Sequence, residues 1–206
     1  MTTASHQTGP RKFPLVPVIF GAVAVALVVT IILTFDSGTV EAYGTPVVTG
    51  EALAPLGEGV DAAVGQMAPS VAGENFTGDA VTITNDGRPK MIILLAHWCP
   101  HCQNEVPVVQ AWLDAGQLPA GVDIYSVATG TSSTRENYPP QTWLEREGWT
   151  PPVIADDQAY TVGDAFGLTA FPFWVFVNAD GTVAARTTGE LSPAVITQIV
   201  QSLVSG

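Results

Sequence analysis

The chain has 206 residues, room for one ordinary domain plus accessories, and carries a formal net charge of −12. No acidic residue precedes Asp36, so that negative charge belongs to the C-terminal part, while Arg11 and Lys12 stand alone before an uncharged run. So acidic a domain lacks the Lys/Arg patches that phosphate binding needs, which excludes a nucleic-acid partner.

From the N-terminus, residues 1–12 read as a cytoplasmic tail and residues 13–35 as a transmembrane helix. About 20 apolar residues in a helix cross a bilayer. The Arg11/Lys12 side is expected inside and the Asp36/Glu41 side outside. Pro14 and Pro17 sit where a first helical turn tolerates them. A cleaved signal peptide competes with the anchor, since Val40-Glu41-Ala42 offers small residues. The apolar run, however, exceeds the usual signal core and ends well before that triplet. Either reading, unlike a buried soluble helix, puts the rest of the chain in an oxidising compartment, and the anchor reading holds it at the cell membrane. Residues 36–65, rich in Gly, Thr, Val, Pro, Ala and Glu without periodicity, are expected to be a flexible extracytoplasmic tether. One folded domain is expected over 66–206.

Within that domain strands and helices should alternate. Val81–Thr84 predicts a short strand ended by Asn85-Asp86-Gly87. Met91–Ala96 is a continuous apolar run, as a strand covered on both faces requires. A helix is expected to open at Cys99–Pro100 and to reach Asp114, kinked at Pro107. Val122–Ala128 predicts another buried strand, and Gln141–Glu147 and Ala159–Phe166 two short helices, the second ending at Gly167. Phe173–Val177 and Thr182–Arg186 flank Asn178-Ala179-Asp180-Gly181 as a hairpin. The last helix starts from Ser192 and Pro193 and presents Val195, Ile196, Ile199, Val200 and Leu203 as its apolar face.

The chain has two cysteines, in Trp98-Cys99-Pro100-His101-Cys102. A Cys-x-x-Cys that follows a strand and opens a helix reads as a redox pair. Cys99 at the helix N-terminus would have its thiolate stabilised by unpaired N–H groups, and His101, when protonated, would add to this. Cys102, one turn further, would be shielded and would resolve the mixed disulfide formed at Cys99. Two other readings stay open: a structural disulfide, though so small a ring stabilises weakly, and a metal site using His97, Cys99, His101 and Cys102, in which copper would need fewer ligands than zinc. The corresponding alternative function is a non-enzymatic copper-delivery module.

Ala96-His97-Trp98-Cys99-Pro100-His101-Cys102 resembles the active-site segment of thioredoxin-like proteins. The continuation Gln103-Asn104-Glu105-Val106-Pro107 is similar to that of the membrane-anchored TlpA/ResA-type branch. Phe171-Pro172, followed by a strand and Asp180-Gly181, resembles the same family's cis-proline loop and terminal hairpin. The resemblance implies an α/β thioredoxin-like fold with a central mixed sheet flanked by helices. It also implies thiol–disulfide exchange with protein thiols and disulfides, a membrane or extracytoplasmic redox partner, and no cofactor or resident metal. Cys99, Cys102, Glu105 and Pro172 are then the catalytic candidates, with Trp98, Pro100, His101 and Phe171 as their neighbours. Phe171 and Phe173 depart from the small or β-branched polar residue common beside that proline. By the same resemblance Glu105 is a partly buried carboxylate that raises thiol pKa values and relays a proton with Cys102; from the residues alone it could equally be a solvated helix carboxylate. His97 reads as a polar loop residue, and Trp112, Trp143 and Trp149 as packing residues. Residues 130–152 exceed what a minimal thioredoxin needs and resemble the strand-and-helix insertion of the TlpA and peroxiredoxin branch. Pro100-His101 favours an oxidant and Glu105 a reductant, so the direction of electron flow stays open at this level.

Overall fold

The computed structural model describes residues 42–205. The expected tail, membrane helix and start of the tether lie outside them, and among the described residues no helix is long and apolar enough to cross a membrane. Among the described residues, eight strands and four helices follow one another. Strands β1 (Val47–Thr49), β2 (Ser70–Glu74) and β3 (Ala80–Ile83) form an antiparallel sheet. After them come β4 (Lys90–Leu95), α1 (Pro100–Asp114), β5 (Asp123–Ala128), α2 (Pro140–Arg146), β6 (Val153–Ala155), α3 (Thr161–Phe166), β7 (Phe173–Val177), β8 (Val183–Thr188) and α4 (Pro193–Ser205). The central sheet has the order β6-β5-β4-β7-β8. Strands β4, β5 and β6 run parallel, while β7 lies antiparallel to β4 and β8 to β7.

Alternation along the central strands explains the two cores. Met91, Ile93 and Leu95 of β4, with Trp174 and Phe176 of β7, face Val106, Val109 and Trp112 of α1 and Ile196, Val200 and Leu203 of α4. Ile92 and Leu94, with Phe173, Val175 and Val177, turn to the opposite face against Val71, Ile83, Ile154, Val162 and Phe166. A strand buried on both faces has to be apolar at every position, and this is why Met91–Ala96 shows no alternation. Helix α1 continues through Pro107 as one element.

The tether expectation fails for residues 42–65, which pack on the domain. Strand β1 pairs with β2, and Ala42, Leu53 and Ala63 are buried. Gly44 N–H donates to Asp156 O at 3.1 Å, Leu53 N–H to Ala165 O at 2.9 Å and Leu56 N–H to Gly167 O at 3.1 Å. Gly44 comes so close that a Cβ there would lie 2.2 Å from Ala155 O. The segment shows no apolar period because isolated side chains and backbone hydrogen bonds hold it rather than one continuous face. One ion pair adds to this hold: Arg186 donates to Asp61 at 2.6 and 2.9 Å, and to the carbonyls of Ala54 and Phe166 at 2.9 and 2.8 Å.

Candidate functional site

Cys99 is the N-cap of α1, in extended backbone conformation, and Pro100 occupies the first turn, where its missing N–H costs nothing. The Cys99 sulfur makes no capping hydrogen bond of its own, but its N-cap position sets it at the positive end of the helix. Both cysteines are free thiols. Cys102, one turn on, is fully buried beneath Ala96, whose N–H points at its sulfur from 3.5 Å. Burial drives the Cys102 thiol well above the ordinary thiol range, and the nearby Cys99 and Glu105 charges push the same way against that N–H. The two sulfurs thus sit in the unequal environments expected of an attacking and a resolving thiol.

The Phe171–Pro172 bond is cis and places the Phe171 carbonyl 3.9 Å from Cys99 Sγ. Pro172 is buried, and Phe171 meets Trp98 edge-on with ring centroids 5.9 Å apart. Pro172 O in turn accepts from Gly189 N–H at 2.9 Å. The structure therefore brings Cys99, Cys102, Trp98, Pro100, His101, Phe171 and Pro172 to one place, although the proline loop lies some seventy residues along the chain from the cysteines.

Glu105 is 1% exposed, which rules out the solvated carboxylate. Leu191 N–H donates to both of its oxygens, at 3.0 and 3.1 Å. Burial pushes its pKa up to about 7; the Leu191 N–H opposes the shift, and the neighbouring Glu190 charge adds to it. A carboxyl titrating there can take or give a proton at neutral pH.

His97 is no free loop residue. It is buried, its Nδ1 lies 2.7 Å from Glu136 O and its Nε2 accepts from Ser132 N–H at 3.1 Å. That pattern requires the neutral ring protonated at Nδ1, and burial accordingly lowers the pKa against the Glu136 carbonyl. Both nitrogens being used, His97 cannot join a copper set with Cys99, His101 and Cys102. Among the described residues no three His, Cys, Asp or Glu side chains converge as metal ligands. Instead His97 ties down the 130–137 loop, which Trp98 also holds through Nε1–H to Gly130 O at 2.7 Å. Arg135 of this loop stacks 4.6 Å from the Trp98 ring centre.

Two nearby features have no counterpart in the motif reading. The Tyr138–Pro139 bond is also cis. Glu190, in the β8–α4 loop, accepts from His101 Nδ1 at 2.7 Å and from Asn104 Nδ2 at 3.2 Å. No local pattern could have pointed to Glu190, which lies 89 residues from His101 in the chain.

Comparison with known proteins agrees with this geometry. The model of the thioredoxin-like domain family matches residues 76–203. Among solved structures, MTB dsbF in mixed oxidized and reduced forms is 25% identical, with 64% of this chain and 93% of that one covered and a TM-score of 0.55. A secreted Mycobacterium tuberculosis disulfide oxidoreductase homologous to E. coli DsbE is 19% identical, covers 64% and 95% of the two chains and has a TM-score of 0.54. StoA from Bacillus subtilis is 18% identical, with 66% and 97% covered and a TM-score of 0.53. No curated protein sequence matches the chain. With a family model spanning more than half of its length, a mixed five-stranded sheet and a Cys-x-x-Cys helix set against a cis-proline loop, this chain belongs to the thioredoxin-like domain family.

Proposed function

We propose that this protein is a membrane-anchored, extracytoplasmic thiol–disulfide oxidoreductase that exchanges disulfides with protein partners through Cys99 and Cys102. The observation that carries the reading is the placement of Cys99 Sγ at a helix N-terminus, 3.9 Å from the carbonyl preceding cis-Pro172, above a fully buried Cys102. The solved structures it resembles include a disulfide oxidoreductase described as secreted, in keeping with the apolar segment at residues 13–35 and the acidic domain beyond it.

In the exchange, the Cys99 thiolate attacks a partner disulfide. The partner's S–S bond breaks, a mixed disulfide forms, and the departing partner sulfur takes a proton. Glu105, as carboxylate, accepts the Cys102 proton; the Cys102 thiolate attacks Cys99, and the second partner sulfur leaves. Two electrons pass from the Cys99–Cys102 dithiol to the partner, and a further dithiol restores the pair. Run backwards, the same steps oxidise a partner dithiol. The test is exchange between the full-length protein and a disulfide-bonded model protein in glutathione buffer. Catalysis above the buffer rate is expected, and its absence refutes the reading.

Glu105→Gln separates the relay from packing. Because burial raises Glu105 to about 7, ionising it opposes folding. The penalty is absent below the ordinary carboxylate range, builds as pH rises toward 7, and is on the order of 3 kcal/mol when complete. Urea unfolding should therefore find the variant more stable than wild type at about pH 8 and not at about pH 4. Its pH–rate profile should lose the step near neutrality. Equal stability differences at both pH values would contradict the buried carboxyl.

A further inference from the structure

On the thiol–disulfide reading above, we infer that Glu190 is a positioning residue that acts through His101 to make the Cys99–Cys102 dithiol an electron donor to partner disulfides. The inference starts from the Gly189–Leu191 segment, where three consecutive residues each grip a different part of the site. Gly189 N–H holds the Pro172 carbonyl, the Glu190 carboxylate holds His101 and Asn104, and Leu191 N–H holds the Glu105 carboxylate. The Glu190 carboxylate thus reaches the start of α1 through His101 and Asn104, while the next residue's N–H holds Glu105 of the second turn.

The electrostatic sense follows from the placement. His101, between the cysteines, is the positive group available in the first turn of α1 to favour a Cys99 thiolate. Glu190 sets a full negative charge 2.7 Å from its ring, and that hydrogen bond is the main reason the Glu190 carboxyl sits below the ordinary carboxylate range. Its charge also helps to hold Glu105 in the protonated form. The remaining charges nearby are Arg135, over Trp98, and Glu136, beside Gln103, both on the 130–137 loop. The cis-proline loop from Leu168 to Phe173 carries no ionisable side chain. Glu190 therefore cancels the charge that would stabilise the thiolate. A less stabilised thiolate makes the reduced enzyme less stable, which favours passing two electrons to the partner's disulfide and leaving Cys99 and Cys102 joined. Ala170, Phe171, Thr188 and Gly189 border the same groove, so the pair stands where a partner segment beside Pro172 would lie.

The discriminating experiment is the thiol–disulfide equilibrium of the full-length protein with glutathione at about pH 6. Glu190→Gln should shift the equilibrium about threefold toward the reduced enzyme, the scale of an exposed ion pair. His101→Asn should shift it about threefold the other way, and the double variant should return near wild type. A structural role for the contact would move both single variants in the same direction. That result, or no shift in Glu190→Gln, overturns the inference. Glu190→Ala serves as a second neutral variant should Glu190→Gln not fold. A wild-type chain that exchanges no disulfide at all refutes the proposed function and the inference with it, whereas normal wild-type exchange with an unshifted variant refutes the inference alone.

Discussion

Replacing Cys99 by Ser is expected to bring disulfide exchange down to the uncatalysed buffer rate, whereas replacing Cys102 by Ser should leave the first half-reaction running. A serine hydroxyl is far less acidic than a thiol and forms no mixed disulfide, so nothing at position 99 would attack. Cys102 cannot substitute for it: the sulfur is fully buried, and its thiol is held in the protonated form by that burial. In Cys102→Ser, by contrast, Cys99 keeps its place at the helix N-terminus beside the Phe171 carbonyl. Attack on a partner proceeds, but the mixed disulfide has no resolving thiol and should accumulate as a covalent adduct on a non-reducing gel. Residual turnover by Cys99→Ser, or an adduct that forms through Cys102 instead, would show that the assignment of attacker and resolver is wrong.

The second large effect concerns stability. Arg186→Ala should destabilise the chain by about 3–5 kcal/mol in urea unfolding, the cost of stranding one partner of a buried ion pair. The Arg186 side chain is 1% exposed and that of Asp61 is 11% exposed. The guanidinium spends its donors on Asp61 and on the Ala54 and Phe166 carbonyls, so its loss removes four hydrogen bonds that tie two stretches of chain to β8. Gly167 keeps this junction open: its backbone has a φ of +71°, and a Cβ there would come within 2.5 Å of the Arg186 guanidinium. Because the pair anchors residues 54–61, the same substitution should open that segment to limited proteolysis before the central sheet unfolds. A loss below about 1 kcal/mol would place the pair among surface ion pairs of little consequence. Asp61→Asn combined with Arg186→Met, which removes both charges, should recover much of the stability lost by either alone.

Much of the molecule was legible in local patterns. The uninterrupted apolar run at Met91–Ala96, the Cys-Pro-His-Cys opening of a helix and the Ser192-Pro193 start of the last helix each specify their element through neighbours a few residues away. Those patterns carry the order of most strands and helices in the central fold, and they single out the two cysteines proposed as attacking and resolving thiols. Three short strands escaped notice. Strands β1 and β6 have three residues each and β2 includes Gly73, too little for an alternation to register. Residues 42–65 read as a tether for a related reason, since their anchors are single side chains and backbone groups.

What the sequence by itself determined is therefore the place of the Cys99–Cys102 pair at the start of a helix and the run of elements that carries it. Tertiary structure alone decided the electrostatic surroundings of that pair. Glu105 became a buried carboxyl only when Leu191, 86 residues away, closed over it. His101 acquired Glu190 from 89 residues away, and His97 was committed to a loop 35 to 39 residues distant. Desolvation and charge pairing act through space over a few ångströms, so residues that set them can lie anywhere in the chain. The opposing pulls of His101 and Glu105 on Cys99 could be read from the motif; Glu190, which weighs against His101, came into view only with the fold.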